Sequence, residues 1–172
     1  VIVTGPNREY VEDIIALGVT SFEEVPLVKD NTSLKGDLCY FYGLRNVIRK
    51  VSPDLVFSYT IKPVIYGSLA AKSCGVRRIY AMVTGLGRVY AASGMKAKFI
   101  RIITNVLYKL SFSVCNRVIF QNEDDISVLV SGHCLPMEKS ALVNGSGVNM
   151  SRFVRMDLPM EPVFLMVSRI IR

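Results

Sequence analysis

The chain has 172 residues, enough for one domain with a substantial core, and 51% of them are hydrophobic, which excludes a disordered chain. Its formal net charge of +7 points to an anionic partner: nucleic acid, a membrane surface or a phosphorylated substrate. No apolar run reaches the roughly 18 residues of a membrane-spanning helix, and no signal peptide is visible. The four cysteines, Cys39, Cys74, Cys115 and Cys134, are far apart and form no CxxC, as expected of reduced core thiols in a cytoplasmic protein.

In chain order, Val1 to Thr4 reads as a strand. Asn7 is placed to cap a helix from Arg8 to Leu17, which Gly18 ends. Phe22 to Val25 reads as a short strand and Pro26 to Gly36 as polar loop. Asp37 is the expected cap of a helix to Val51, with Leu38, Phe41, Leu44, Val47 and Ile48 on one face. Pro53 breaks that helix. The apolar Leu55-Val56-Phe57 then suits a buried strand ending in Ser58-Tyr59-Thr60. After Lys62-Pro63, small and apolar residues recur at helical spacing from Val64 to Ser73.

Gly75 precedes a strand from Arg78 to Val83, and Arg88 to Ser93 reads as loop. Gly94 to Val114 is the longest helical pattern. Arg117 to Phe120 reads as a strand, and Asn122 caps a helix from Glu123 to about Val130. Glu123, Asp124 and Asp125 fill the first turn of that helix, where the helix dipole favours negative charge. Ser140 to Val143 is a further strand. Arg155 to Pro162, with two prolines and no periodicity, reads as a linker before a strand-like run from Phe164 to Val167. Val1 is not an initiator methionine, and the chain is expected to be a piece of a longer one. Alternating strands and helices imply an α/β fold, a Rossmann-like parallel sheet flanked by helices.

In a parallel sheet, ligands sit outside the carboxyl ends of the strands. Four loops fall there: Ser58 to Pro63, Thr84 to Ser93, Gln121-Asn122, and Asn144 to Asn149. They carry hydroxyls, amides, glycines and Lys62. Gly85, Gly87, Gly145 and Gly147 suit close approach of the backbone to a phosphate, or simply tight turns. Neither glycine pair matches GxGxxG or a P-loop. The only histidine, His133, lies beyond a helix end as a solvated loop residue, so no Ser-His-Asp or Cys-His set can be assembled. No metal-ligand spacing is present.

On the helix from Gly94 to Val114, Met95, Phe99, Ile102, Ile103, Val106, Leu107 and Leu110 form one broad apolar face. Lys98, Arg101, Asn105 and Lys109 fall on its flank within about 80°. Such a helix either packs on the sheet with a solvated flank or lies on an anionic membrane. Basic residues are not interleaved with aromatics in any nucleic-acid-binding module.

Several motifs stand in a specific order: Pro53-Asp54, Tyr59-Thr60-Ile61-Lys62-Pro63, Tyr66-Gly67, Ala70-Ala71 and Thr84-Gly85-Leu86-Gly87. Gln121-Asn122-Glu123-Asp124-Asp125, Asn144-Gly145-Ser146-Gly147-Val148-Asn149, Arg152-Phe153 and Val167-Ser168-Arg169 follow. With them the chain resembles glycosyltransferase family 4, and within it bacterial enzymes that extend lipid-linked sugars for capsule, O-antigen or glycoprotein glycans.

The resemblance implies the N-terminal, acceptor-side half of a GT-B fold. Residues 1–155 would form that domain, without the family's first strand and glycine-rich loop. Residues 156–172 would be a linker and the first strand of a donor domain. It implies retaining transfer of a sugar from a nucleotide-sugar donor, usually UDP-linked, to a saccharide on polyprenyl diphosphate. The setting would be the inner face of the plasma membrane, with no metal or prosthetic group. Tyr59, Thr60, Lys62, Thr84, Gly85, Gly87, Asn122, Asn144, Gly145, Ser146 and Gly147 would line the acceptor side of the cleft. Arg169 would contact the donor diphosphate, and Lys98, Arg101 and Lys109 would face the membrane. Many family members carry a histidine where Thr84-Gly85-Leu86-Gly87 stands here, and the donor-holding lysine and glutamates have no counterpart up to Arg172. The chain alone is therefore expected to be inactive. The alternative is the acceptor-binding subunit of a split transferase.

Overall fold

Two parallel sheets organise the chain in a computed structural model that describes residues 1–27, 33–157 and 159–166. The first sheet pairs β1 (Ile2–Gly5) with β2 (Ser21–Glu24). The second has the order β3 (Leu55–Tyr59), β4 (Arg78–Val83), β5 (Arg117–Phe120), β6 (Ser140–Leu142). Every pairing is parallel: Tyr59 lies opposite Met82, Val83 opposite Phe120, and Phe120 opposite Leu142. All four carboxyl ends of the second sheet therefore open on one edge, as the alternation of elements required.

Helices make the crossovers: α1 (Val11–Ala16), α2 (Leu34–Val51), α3 (Ser68–Ser73), α4 (Arg88–Ala91), α5 (Met95–Val114) and α6 (Glu123–Ser131). Between β4 and β5 the period-two pattern is clean. Ile79, Ala81 and Val83 point inward from β4, and Val118 and Phe120 from β5. Tyr108 and Phe112 of α5 stack on each other, centroids 5.0 Å apart, and are fully buried in this core. Truncating Phe112 would cost about 3–5 kcal/mol by the usual cavity argument.

Several expectations are corrected. The first helix starts at Val11, capped by Tyr10 without a side-chain bond, because Asn7 instead accepts from the Glu9 N–H in a local turn. α2 starts three residues before Asp37: Ser33, in extended backbone, accepts from the Gly36 N–H at 3.3 Å and is the cap. Asp37 falls inside the first turn, where its carboxylate reaches other elements. The helix after β3 opens with a π-helical turn over Pro63–Gly67, Pro63 sitting where its missing N–H costs nothing.

Residues 88–91, expected as loop, form α4. Leu55 and Phe57 are half-exposed rather than buried, since β3 is the edge strand of its sheet. Phe164 to Met166 form no strand: they pair with no strand among the described residues, and Phe164 is almost fully exposed. Val167 lies outside the described residues.

The apolar face of α5 is turned away from the sheet. The inward face is the one carrying Tyr108, Ser111 and Phe112, while Met95, Phe99, Ile102, Ile103, Val106 and Leu110 are exposed and only Leu107 packs against the core.

Candidate functional site

The carboxyl edge is built around the end of β3. Tyr59 closes the strand, about half exposed, and Thr60 follows in the left-handed region at φ 71°. A β-branched residue there is strained. Two bonds hold it: the Thr60 N–H donates to the Met82 carbonyl at 3.2 Å, and the Val64 N–H donates to the Thr60 carbonyl at 2.9 Å. The first reaches across to β4 and the second opens the π-helical turn. The kink is thus fixed from both sides and presents its side chains at the edge.

Lys62 comes next. Its ammonium meets Asp37 Oδ1 at 2.9 Å, and the Tyr66 hydroxyl donates to Asp37 Oδ2 at 2.8 Å. One carboxylate from α2 thereby holds a lysine and a tyrosine that lie four residues apart on one face of the next helix. The charged pair is mostly shielded, with side chains 21% and 17% exposed. Burial pushes the Tyr66 phenol well above its ordinary value, and the hydrogen bond to Asp37 and its negative charge push it further. Tyr66 is therefore a hydrogen-bond donor throughout the physiological range. Tyr40 packs edge-on against it, centroids 6.3 Å apart.

The other loops close around this corner. Gly87, at φ 68°, lies against Ile61: a Cβ there would stand 3.0 Å from Ile61 Cδ1, so the β3 and β4 loops touch. Thr84 and Gly85 are half-buried beside it, above the buried Leu86. The amide of Gln121 donates to the Ser146 hydroxyl at 3.3 Å, joining the loops after β5 and β6. Asn144, Gly145 and Gly147 are exposed on the same loop. Asn122 is occupied locally: its Oδ1 accepts from the Asp125 N–H at 2.8 Å, and its amide donates to the Asp125 carboxylate at 2.9 Å. Arg169 lies outside the described residues.

Of the flank of α5, Lys98 and Lys109 are exposed. Arg101 turns inward, donating to the carbonyls of Tyr90 at 3.1 Å and Ala92 at 3.0 Å, with its guanidinium 5.6 Å from the Tyr90 ring. The Tyr90 hydroxyl bonds to Asn105 Oδ1. These contacts clamp the segment that follows the Thr84–Gly87 loop onto α5.

Asp37 and Tyr66 are the site residues that local reasoning missed. Tyr66 was within reach, four residues after Lys62. Nothing near Asp37 in sequence announces a partner 25 positions on. His133 is exposed beyond the far end of α6, away from this edge. Among the described residues no three His, Cys, Asp or Glu side chains gather as a metal site.

A cavity of about 620 Å³ opens at the opposite, amino edge of the sheet, lined by Lys72, Arg77, Asn116 and Lys139 among others. Two of its polar side chains serve the framework. Lys139 donates to the Phe112 and Ser113 carbonyls at the end of α5, and Asn116 accepts from the Ile79 N–H. The carboxyl edge combines hydroxyls, amides, open glycine backbone and a held lysine. That set can position a polyhydroxylated or phosphorylated ligand.

The family described as "Glycosyl transferase 4-like" matches residues 1–122. The chain is 29% identical over 143 residues to N,N'-diacetylbacillosaminyl-diphospho-undecaprenol alpha-1,3-N-acetylgalactosaminyltransferase of Campylobacter jejuni, covering 75% of this chain and 38% of that protein. It is 27% identical over 151 residues to UDP-Gal:alpha-D-GlcNAc-diphosphoundecaprenol alpha-1,3-galactosyltransferase of Escherichia coli, covering 87% and 36%. The chain thus spans little more than a third of the length of these curated relatives. Among solved structures, UDP-N-acetylglucosamine 2-epimerase from Rickettsia bellii matches with a TM-score of 0.52 at 20% identity, over 82% of this chain and 36% of that one. At that identity the likeness bears on the fold alone, an α/β fold of the GT-B kind. With the family match running through β1 to β5 and the carboxyl-edge loops between them, the chain belongs to the glycosyl transferase 4-like family.

Proposed function

We propose that this chain is the acceptor-side part of a bacterial glycosyltransferase. The protein would move a sugar, with retention of configuration, from a UDP-sugar to a saccharide on polyprenyl diphosphate in cell-surface glycan synthesis. The single observation that carries the reading is the corner of Thr60, Lys62, Asp37 and Tyr66. It is a lysine held at the carboxyl edge beside exposed hydroxyls, in a chain whose relatives are named for diphospho-undecaprenol acceptors. Tyr59, Thr60 and Lys62 take the acceptor or its diphosphate. Thr84, Gly85, Gly87, Asn122, Asn144, Gly145, Ser146 and Gly147 line the cleft, and Arg169 takes the donor diphosphate.

In such a transfer the acceptor hydroxyl oxygen bonds to the anomeric carbon as the bond from that carbon to the donor phosphate oxygen breaks. The departing phosphate oxygen takes the acceptor proton. Positioning and stabilisation of the leaving diphosphate then carry the chemistry, and neither a protein base, a metal nor a prosthetic group is invoked. The reaction runs at the inner face of the plasma membrane, with the basic side of α5 toward anionic lipid. This chain by itself is inactive in this reading.

The test is a panel of UDP-sugars offered to the full-length protein together with a polyprenyl-diphosphate saccharide. Labelled lipid-linked product is expected with at least one donor. Neither transfer nor donor hydrolysis across the panel would sink the reading.

A further inference from the structure

We propose that the cavity at the amino edge of the second sheet binds a small phosphorylated anion, at a site separate from the carboxyl edge. Its volume of about 620 Å³ lies in the range of small-molecule sites, about 300–1,000 Å³. Lys72, Arg77 and Lys139 line it, and no Asp or Glu does. The ion pairs formed among the described residues, Lys50 with Glu23 and Lys62 with Asp37, involve none of these cations.

The framework accounts for Lys139 but not for the other two. A parallel sheet gathers helix carboxyl ends at its amino edge, and their carbonyls favour cations. Here those carbonyls already have donors. α3 closes on itself around Gly75, at φ 82°. The Gly75 N–H donates to the Lys72 carbonyl at 3.0 Å, and the Val76 N–H donates to the Ala71 carbonyl at 3.1 Å. At the end of α5, the Lys139 ammonium reaches the Phe112 and Ser113 carbonyls at 3.1 and 2.8 Å. Lys72 and Arg77 are exposed, and their side chains make no hydrogen bond or ion pair among the described residues.

The donors left over come from four segments of chain. Lys72 stands in the last turn of α3, and Arg77, Asn116 and Lys139 each stand one residue before β4, β5 and β6. Asn116 commits its Oδ1 to the Ile79 N–H at 2.8 Å, which leaves its amide nitrogen as the free end. Lys139 keeps a third N–H. Three cations and an amide, all donors, match the several oxygens and double charge of a phosphate group. None of the exposed large apolar side chains lines the cavity, so acyl chains find no seat there. The ligand is therefore a soluble phosphate compound rather than a phospholipid headgroup. Once bound, it would tie the starts of three neighbouring strands together. The inference does not rest on the transferase reading.

The experiment is calorimetric titration of the full-length protein with inorganic phosphate, at an ionic strength held constant with chloride. The unaltered protein should bind phosphate saturably, and its Tm should rise with phosphate. Lys72→Gln with Arg77→Gln should weaken that binding by about tenfold or more and suppress the rise, while Tm without phosphate stays unchanged. Lys96→Gln with Lys98→Gln removes the same charge from exposed positions on α5 and should leave the affinity as it was. No saturable binding by the unaltered protein overturns the proposal. So does equal weakening in the two double variants, which would report net charge alone. Unchanged affinity in the Lys72 and Arg77 variant also overturns it, because the phosphate then sits elsewhere.

Discussion

Asp37 Oδ1 holds the Lys62 ammonium at 2.9 Å across 25 positions of sequence, and Oδ2 of the same carboxylate accepts from Tyr66. α2 is thereby pinned to the turn that presents the candidate acceptor site. Asp37→Ala should lower stability by about 2–3 kcal/mol, since it takes a carboxylate from a largely shielded ammonium and a partner from a phenol. Tyr66→Phe, which removes one neutral donor, should cost about 1 kcal/mol. Urea unfolding of the two variants checks the order. Equal losses would mean that the ion pair adds nothing beyond the hydrogen bond.

Thr60 carries a strained φ at the carboxyl edge of the sheet. Thr60→Gly should relieve about 1 kcal/mol of that strain and raise the urea midpoint. Under the acceptor-binding role assigned to its hydroxyl, the same variant in the full-length protein should raise the acceptor KM. A variant that is both less stable and unchanged in KM would contradict both halves of the argument.

Gly67 lies in the π-helical turn directly over β3. A Cβ there would stand 2.7 Å from the hydroxyl oxygen of Ser58, a short side chain that is itself buried. Gly67→Ala should therefore destabilise by about 1–3 kcal/mol although alanine favours helix. The double variant Gly67→Ala, Ser58→Gly should recover part of the loss, which thermal denaturation would read.

Alkaline stability follows from one buried and one partly buried phenol. Burial pushes Tyr40 and Tyr90 from an ordinary 10.0 up to about 12. Each favours its protonated form in the folded state. Their contribution to stability is complete below pH 10 and is lost as pH rises from 10 through 12. The urea midpoint should fall across that window, and tyrosinate absorbance from these two residues should appear only with unfolding. A gradual absorbance rise at pH 10, without loss of structure, would show that they are open to solvent.

Much of this protein was determined by its sequence alone. The alternation of elements required parallel pairing and one shared carboxyl edge. Asn122 before three acids dictated the start of α6, and the motif order carried the family. These features rest on interactions within four residues, or on a period that a strand or helix must repeat. The tertiary structure decided what depends on partners far apart in the chain. Asp37 looked like a cap because capping is local, but Lys62 and Tyr66 recruit it and Ser33 caps instead. Periodicity gave α5 two faces and could not say which would meet the sheet. Packing chose the face of Tyr108 and Phe112, whose stacked rings fill the core. Bonds to Tyr90 and Ala92 drew Arg101 inward, and the apolar stripe that local pattern alone would bury was left facing out.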